Sequence, residues 1–161
     1  MDDRIADLFA RHGPLVYRRA LQLMGSAADA EEATQEVFIR AAAAIDGFDP
    51  RARLSTWLYR ITTNYCLNQL RDRGRRRDLL EARAEEAAPA AVPYDLAKMV
   101  QMRRLLAEAD PREAAAAVAV FVDGMSHAEA AQVLEVSRRT VGNLCDRFVR
   151  WAAERLDEAG S

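Results

Sequence analysis

At 161 residues and 18.0 kDa the chain has room for one ordinary domain or two small ones and for nothing larger. Half of it is hydrophobic, but 32 of those residues are alanine, beside only 11 valines and 4 isoleucines, a composition that favours helix and small cores over a sheet. The net charge of −2 excludes a uniformly basic nucleic-acid binder, yet the charge is segregated: residues 1–50 carry −4, 51–77 carry +7, 78–93 carry −3 and 94–161 carry −2.

Of the 23 cationic side chains 22 are arginine, whose forked donors suit phosphates and base edges. No run of about 20 apolar residues occurs, and the start, Met1-Asp2-Asp3-Arg4, is acidic where a secretory signal would be basic and then apolar. The expectation is a cytoplasmic protein without membrane insertion. Cys66 and Cys145 lie far apart inside helical patterns, which predicts buried reduced thiols and neither a disulfide nor a metal site.

Residues 4–24 have helical spacing in Ile5, Leu8, Phe9, Leu15, Val16 and Leu23, and Gly13-Pro14 predicts a break or kink between two short helices. Asp29-Ala-Glu-Glu32 resembles a capping box, so a second helix is expected from Asp29 to about Ile45, burying Ala30, Ala33, Val37, Phe38, Ala41 and Ile45. Asp46-Gly-Phe-Asp-Pro50 supplies turn chemistry. A third helix is expected from an N-cap at Ser55 to about Arg71, with Leu54, Trp57, Leu58, Ile61 and Tyr65 on one face and Arg60, Asn64, Asn68 and Arg71 on the other. After the arginine cluster ending at Arg77, the Ala/Glu-rich stretch containing Pro89 and Pro93 is expected to be a linker.

Leu96, Met99, Val100, Met102, Leu105 and Leu106 predict the next helix, stopped by Asp110-Pro111. Another is expected over 112–122, ending at Asp123-Gly124. Ser126-His-Ala-Glu129 and Ser137-Arg-Arg-Thr140 then cap two closely spaced helices, the first to about Glu135 and the second to about Leu156, which is a helix-turn-helix pattern. The expected fold is therefore all-α, two small helical domains joined by a linker: residues 1–77, 78–94 and 95–161.

Such a motif lays its second helix in the DNA major groove and puts the side chains of its first turns on base edges and phosphates. Those positions here are Ser137, Arg138, Arg139, Thr140, Asn143 and Arg147. The 51–77 block interleaves arginines with Trp57, Tyr59 and Tyr65, the mixture that single-stranded nucleic acid binding requires, although each aromatic taken singly reads more readily as core. His12 and His127 have no metal-ligand spacing, and neither a Gly-rich phosphate loop nor a nucleophile constellation is present, so no enzyme activity and no cofactor are expected.

Taken together and in order, these segments resemble the sigma-70 family of bacterial transcription initiation factors, specifically the two-region extracytoplasmic-function (ECF) type. Asp29-Ala-Glu-Glu-Ala-Thr-Gln-Glu-Val-Phe-Ile-Arg40 is similar to the region 2 motif D-A-E-D-x-x-Q-E-V-F, and Phe48-Asp-Pro50, Ser55-Thr-Trp-Leu-Tyr-Arg-Ile-Thr-Thr-Asn64 and Leu70-Arg71 are similar to the end of region 2. Asp110-Pro-Arg-Glu113, Val120-Phe121, Gly124-Met-Ser-His-Ala-Glu-Ala-Ala131 and Val136-Ser-Arg-Arg-Thr-Val141 are similar to region 4.

The resemblance implies core RNA polymerase as a partner, through its β′ clamp helices and β flap, with Asp29, Glu32, Gln35, Glu36 and Arg40 as contacts. It implies promoter DNA as the second partner, both single-stranded and duplex. Arg51, Arg53, Tyr59, Arg60, Asn64, Asn68 and Arg71 would hold the melted −10 strand, and the helix after Ser137 would bind the −35 duplex. An anti-sigma factor is a further candidate partner. The chain departs from the family at Gly142, Leu144 and Val149, where Lys or Arg is common, at Asp146, and at Glu135, a turn position usually held by glycine. Region 4 is accordingly expected to bind its −35 element weakly or to read an atypical one, with region 2 carrying most of the affinity. A helix-turn-helix regulator or a sigma-like adaptor that does not initiate transcription is the alternative.

Overall fold

The computed structural model describes residues 3–81 and 94–160. The elements are α1 (Asp3–Met24), α2 (Ala27–Ala44), a 3-10 turn (Ile45–Gly47), α3 (Leu54–Glu81), α4 (Tyr94–Glu108), α5 (Pro111–Ala117), a π turn (Val118–Val122), α6 (His127–Leu134) and α7 (Arg138–Ala159). No strand occurs among the described residues. The chain divides into two compact units, Met1–Asn68 and Gln69–Ser161.

In the first unit α1 packs on α2. Ile5, Leu8, Val16, Ala20 and Leu23 of α1 are buried with Ala30, Ala33, Val37, Phe38 and Ala41 of α2, and Leu58, Thr62, Tyr65 and Cys66 of α3 are buried as well. Alanines at the facing positions give α2 a surface without bulk and so permit close approach. Buried Thr34 and Thr62 satisfy their hydroxyls by donating to the carbonyls of Ala30 and Leu58, each at 2.7 Å.

Several expected boundaries are corrected. α1 runs unbroken through Pro14, because one missing N–H costs less than the burial of Val16, Ala20 and Leu23 returns. It ends at Gly25, φ 79°, whose amide bonds to the carbonyl of Leu21 at 2.8 Å. α2 is capped by Ser26 rather than Asp29: the Asp29 amide donates to the Ser26 hydroxyl at 3.3 Å, which leaves Asp29 in the first turn. α3 likewise begins before Ser55, since the Trp57 amide already bonds to the Arg53 carbonyl at 3.1 Å. It also continues past Arg71 to Glu81, so the arginine cluster is helical and the first four residues of the expected linker, 78–81, belong to α3. Residues 82–93 of that linker lie outside the described residues.

In the second unit Ala116, Ala119, Ala130, Ala131, Val141, Leu144 and Cys145 form the core, with Val120, Met125, Leu134 and Val136 packed against it. Leu106 of α4 is buried, whereas Met99 and Val100 are exposed, so only part of the expected α4 stripe is covered. Asp110 caps α5, its carboxylate accepting from the amides of Arg112 and Glu113 at 2.9 and 3.2 Å. The helix expected over 112–122 changes character at Val118, where the Asp123 amide reaches back five residues to the Val118 carbonyl at 2.9 Å. Both cysteines are free and buried.

Candidate protein and nucleic-acid interfaces

On α2, Glu32, Gln35 and Arg40 are exposed, and Asp29 and Glu36 are half-buried. Glu36 accepts from Arg40 Nε at 3.1 Å, and the Arg40 guanidinium lies 4.9 Å from the centre of the Tyr65 ring. Burial, followed by the charges of Glu32 and Glu36, pushes the Tyr65 phenol above its ordinary range, against an opposing pull from Arg40. Glu32, Glu36 and Arg40 therefore gather around one aromatic ring. Asp29 and Gln35 extend the same acidic, N-terminal half of the helix.

On α3, Asn64 and Asn68 are exposed and Arg60 is half-buried, and the spacing of four residues stacks them in one stripe. Arg71, half-buried and three residues further along the helix, falls in the second unit. Arg51 and Arg53 are exposed in the segment before α3. Arg51 is tied to Asp49, its amide at 2.9 Å and its Nε at 3.2 Å from Oδ1, and these bonds from the Arg51 backbone and side chain hold the Asp49 carboxyl below its usual range. Phe48 and Trp57 pack at 5.0 Å between ring centres and anchor this segment to the helix.

Tyr59 does not join that stripe. A helix turns about 100° per residue, and Tyr59 points instead toward α1, where Arg19 donates to its hydroxyl at 2.9 Å and covers its ring at 4.1 Å. Arg19 also donates to Thr63 Oγ1 at 3.1 Å. Nothing in the spacing of α1 singled out Arg19, because its partners lie 40 and 44 residues away.

The helix-turn-helix is assembled as expected. Ser126 accepts from the Glu129 amide at 3.1 Å while Glu129 reaches back to the Ser126 amide, closing a capping box. Glu135 ends α6 at φ 56°, ψ 45°. Ser137 caps α7 by accepting from the Thr140 amide at 3.0 Å, and the two hydroxyls lie 2.8 Å apart. Ser137, Arg138, Arg139, Asn143 and Arg147 are exposed and Thr140 is half-buried. Arg139, Asn143 and Arg147 share the outward stripe, while Arg138 flanks it. Arg150, exposed and seven residues after Asn143, continues the stripe beside Asp146. The spacing alone could have revealed it.

Residues 8–76 match the family model described as Sigma-70 region 2. Along its length the chain is 32% identical over 154 residues to the ECF RNA polymerase sigma factor SigM of Mycobacterium tuberculosis, which covers 90% of this chain and 74% of that protein. The chain belongs to the ECF sigma factors. It is 34% identical over 141 residues to the ECF RNA polymerase sigma factor SigE of Mycolicibacterium smegmatis, covering 84% of this chain but spanning only about half of that longer relative, 54%. Its fold is similar to that of CnrH, solved in complex with the cytosolic domain of CnrY, with a TM-score of 0.57 and 25% identity over 98% of this chain and 90% of that one. Family membership gives the acidic α2 surface, the α3 stripe and the helix-turn-helix a common context. Among the described residues no group of His, Cys, Asp and Glu could hold a metal ion, and no helix is long and apolar enough to cross a membrane.

Proposed function

We propose that this ECF sigma factor is a cytoplasmic transcription initiation factor that joins core RNA polymerase, brings it to promoters and helps open the −10 element, without catalysing a reaction itself. The observation that carries this reading is the likeness to an ECF sigma factor over 90% of the chain, which takes in both the α2–α3 surfaces and the helix-turn-helix. In this reading residues 1–77 act as region 2 and 95–161 as region 4.

Glu32, Glu36 and Arg40, flanked by Asp29 and Gln35, dock on the polymerase. Their charges are exposed or half-buried, and the ring of Tyr65 beneath them fixes the position of the Arg40 head. Arg60, Asn64 and Asn68, aided by Arg51, Arg53 and Arg71, hold the displaced −10 strand: arginine neutralises phosphate, and asparagine offers both a donor and an acceptor to an unstacked base. Holding extruded bases offsets the few kcal/mol lost when they unstack and unpair. Tyr59, engaged by Arg19, ties α3 to α1 beneath this surface. Arg138, Arg139, Thr140, Asn143 and Arg147 bind the −35 duplex and set the register. An anti-sigma factor covering these surfaces is the regulatory partner this reading supports.

Association with purified core polymerase tests the docking surface. The full chain should bind saturably, and Glu32→Lys with Glu36→Lys should weaken binding about tenfold or more through charge reversal. Unchanged binding by the variant overturns the assignment of α2, and no binding by the parent chain overturns the function.

A further inference from the structure

Between α1 and α3 the first unit holds a pocket of about 210 Å³ whose lining includes Leu15, Val16, Arg19, Ser55, Leu58 and Tyr59. It belongs to neither interface described above. No residue of α2 lines it, and its α3 positions stand on the side of the helix opposite Arg60, Asn64 and Asn68.

The pocket is preformed. Arg19 is fixed by its bonds to the Tyr59 and Thr63 hydroxyls and by its stacking over the Tyr59 ring, so an incoming group need not order it. The walls are supplied chiefly by Leu15, Val16, Leu58 and the Tyr59 ring, and the volume suits one branched or aromatic side chain. Beside it, Arg11, Leu15 and Arg18 fall at i, i+4 and i+7, one outward face of α1. Leu15 is 56% exposed there, a large apolar side chain between two exposed arginines. Arg11 is paired with Asp7 at 3.1 Å, a solvent-exposed pair that a competing carboxylate can replace at little cost.

We infer that this groove docks an acidic amphipathic helix of a protein partner. A Leu-sized or Phe-sized side chain enters the pocket, and carboxylates one turn to either side face Arg11 and Arg18. Shape and charge together select this occupant. A nucleobase would press its polar edge against Leu15, Val16 and Leu58, and a phosphate would lose its water to an apolar wall. A carboxylate-bearing helix instead leaves its charges at the rim and buries only its apolar anchor, the division of labour of helix-in-groove recognition.

The test is two-dimensional amide NMR of the full chain titrated with a short synthetic helix carrying leucine anchors flanked by glutamate. Controls are the same peptide with leucine replaced by alanine, the same peptide with glutamate replaced by lysine, and oligo(dT). Saturable shifts should map to Leu15, Arg18, Ser55 and Tyr59. Binding should weaken about tenfold for each altered peptide and about tenfold for Arg18→Glu, an exposed substitution whose own spectrum reports an intact fold. The proposal is overturned by an absence of saturable shifts, by shifts confined to α2 or to the Arg60–Asn68 stripe, by equal binding of the lysine peptide, or by displacement of the peptide by oligo(dT). Because the readout involves neither polymerase nor promoter, its outcome is independent of the initiation function.

Discussion

Glu135 stands where a left-handed conformation is required, at φ 56° and ψ 45°, and an L side chain there costs about 1–2 kcal/mol. Glu135→Gly should therefore raise unfolding free energy by about 1 kcal/mol in a denaturant titration; a fall would show that contacts of the Glu135 side chain outweigh the backbone term. The turn itself was legible, because the capped serines on either side leave no other place for it. The strain was not, since it lies in a dihedral angle. Gly142 is the converse case: it sits inside α7, and a methyl group there would meet His127 Nδ1 at 3.7 Å, ordinary contact. Gly142→Ala should add about 0.5–1 kcal/mol. Cys145 shows a chemical consequence of the same core. Burial, and then the charge of Asp146, pushes its thiol above the ordinary range. A folded pKa above the unfolded one gives stability that is complete below the unfolded value and is lost as pH rises through the folded one, so this contribution should fade above about pH 8.5. A disulfide-exchange reagent at pH 8 should leave Cys145 untouched in the native protein and label it on unfolding; rapid native labelling would contradict its placement.

Elements were legible where their determinants are local. The Ser126 box and the Ser137 cap each involve residues three apart, and both helix starts fall where those signals put them. Pro14 misled because burial along α1 decides it, and the end of α3 also lies beyond its expected bound. α1 spans Pro14 on the strength of burial along its whole length, and α3 runs ten residues beyond the expected Arg71 to Glu81. Pro14 is exposed within α1, so Pro14→Ala should restore one backbone bond and stabilise the protein by about 1–3 kcal/mol in thermal or chemical unfolding, less what the freer unfolded chain recovers. Loss of stability would mean that α1 requires the proline. α7 carries the duplex-binding prediction. Arg138→Ala with Arg139→Ala should lower promoter affinity and reduce the slope of log affinity against log salt by about 2, one per phosphate contact removed. An unchanged slope would place those arginines off the DNA.

At the scale of the whole molecule, a net charge of −2 conceals three kinds of surface: the carboxylates around Tyr65, the stripe of Arg60, Asn64 and Asn68, and the outward face of α7. Motif order made the first two legible. The partner that engages Tyr59 on the opposite side of α3, Arg19, was not, because that contact spans 40 residues of sequence. The outward face of α7 carries Asp146 among its arginines, and in the function proposed above this would weaken the second unit's hold on duplex DNA and leave more of the affinity to the melted strand. Run-off transcription with purified core polymerase on a panel of genomic fragments tests that account as a whole. The full chain should produce discrete, sequence-specific starts, and Asn64→Ala should reduce them about tenfold or more while still binding core normally. Transcription no more specific than that of core alone, or equal loss of starts and core binding in Asn64→Ala, would contradict it.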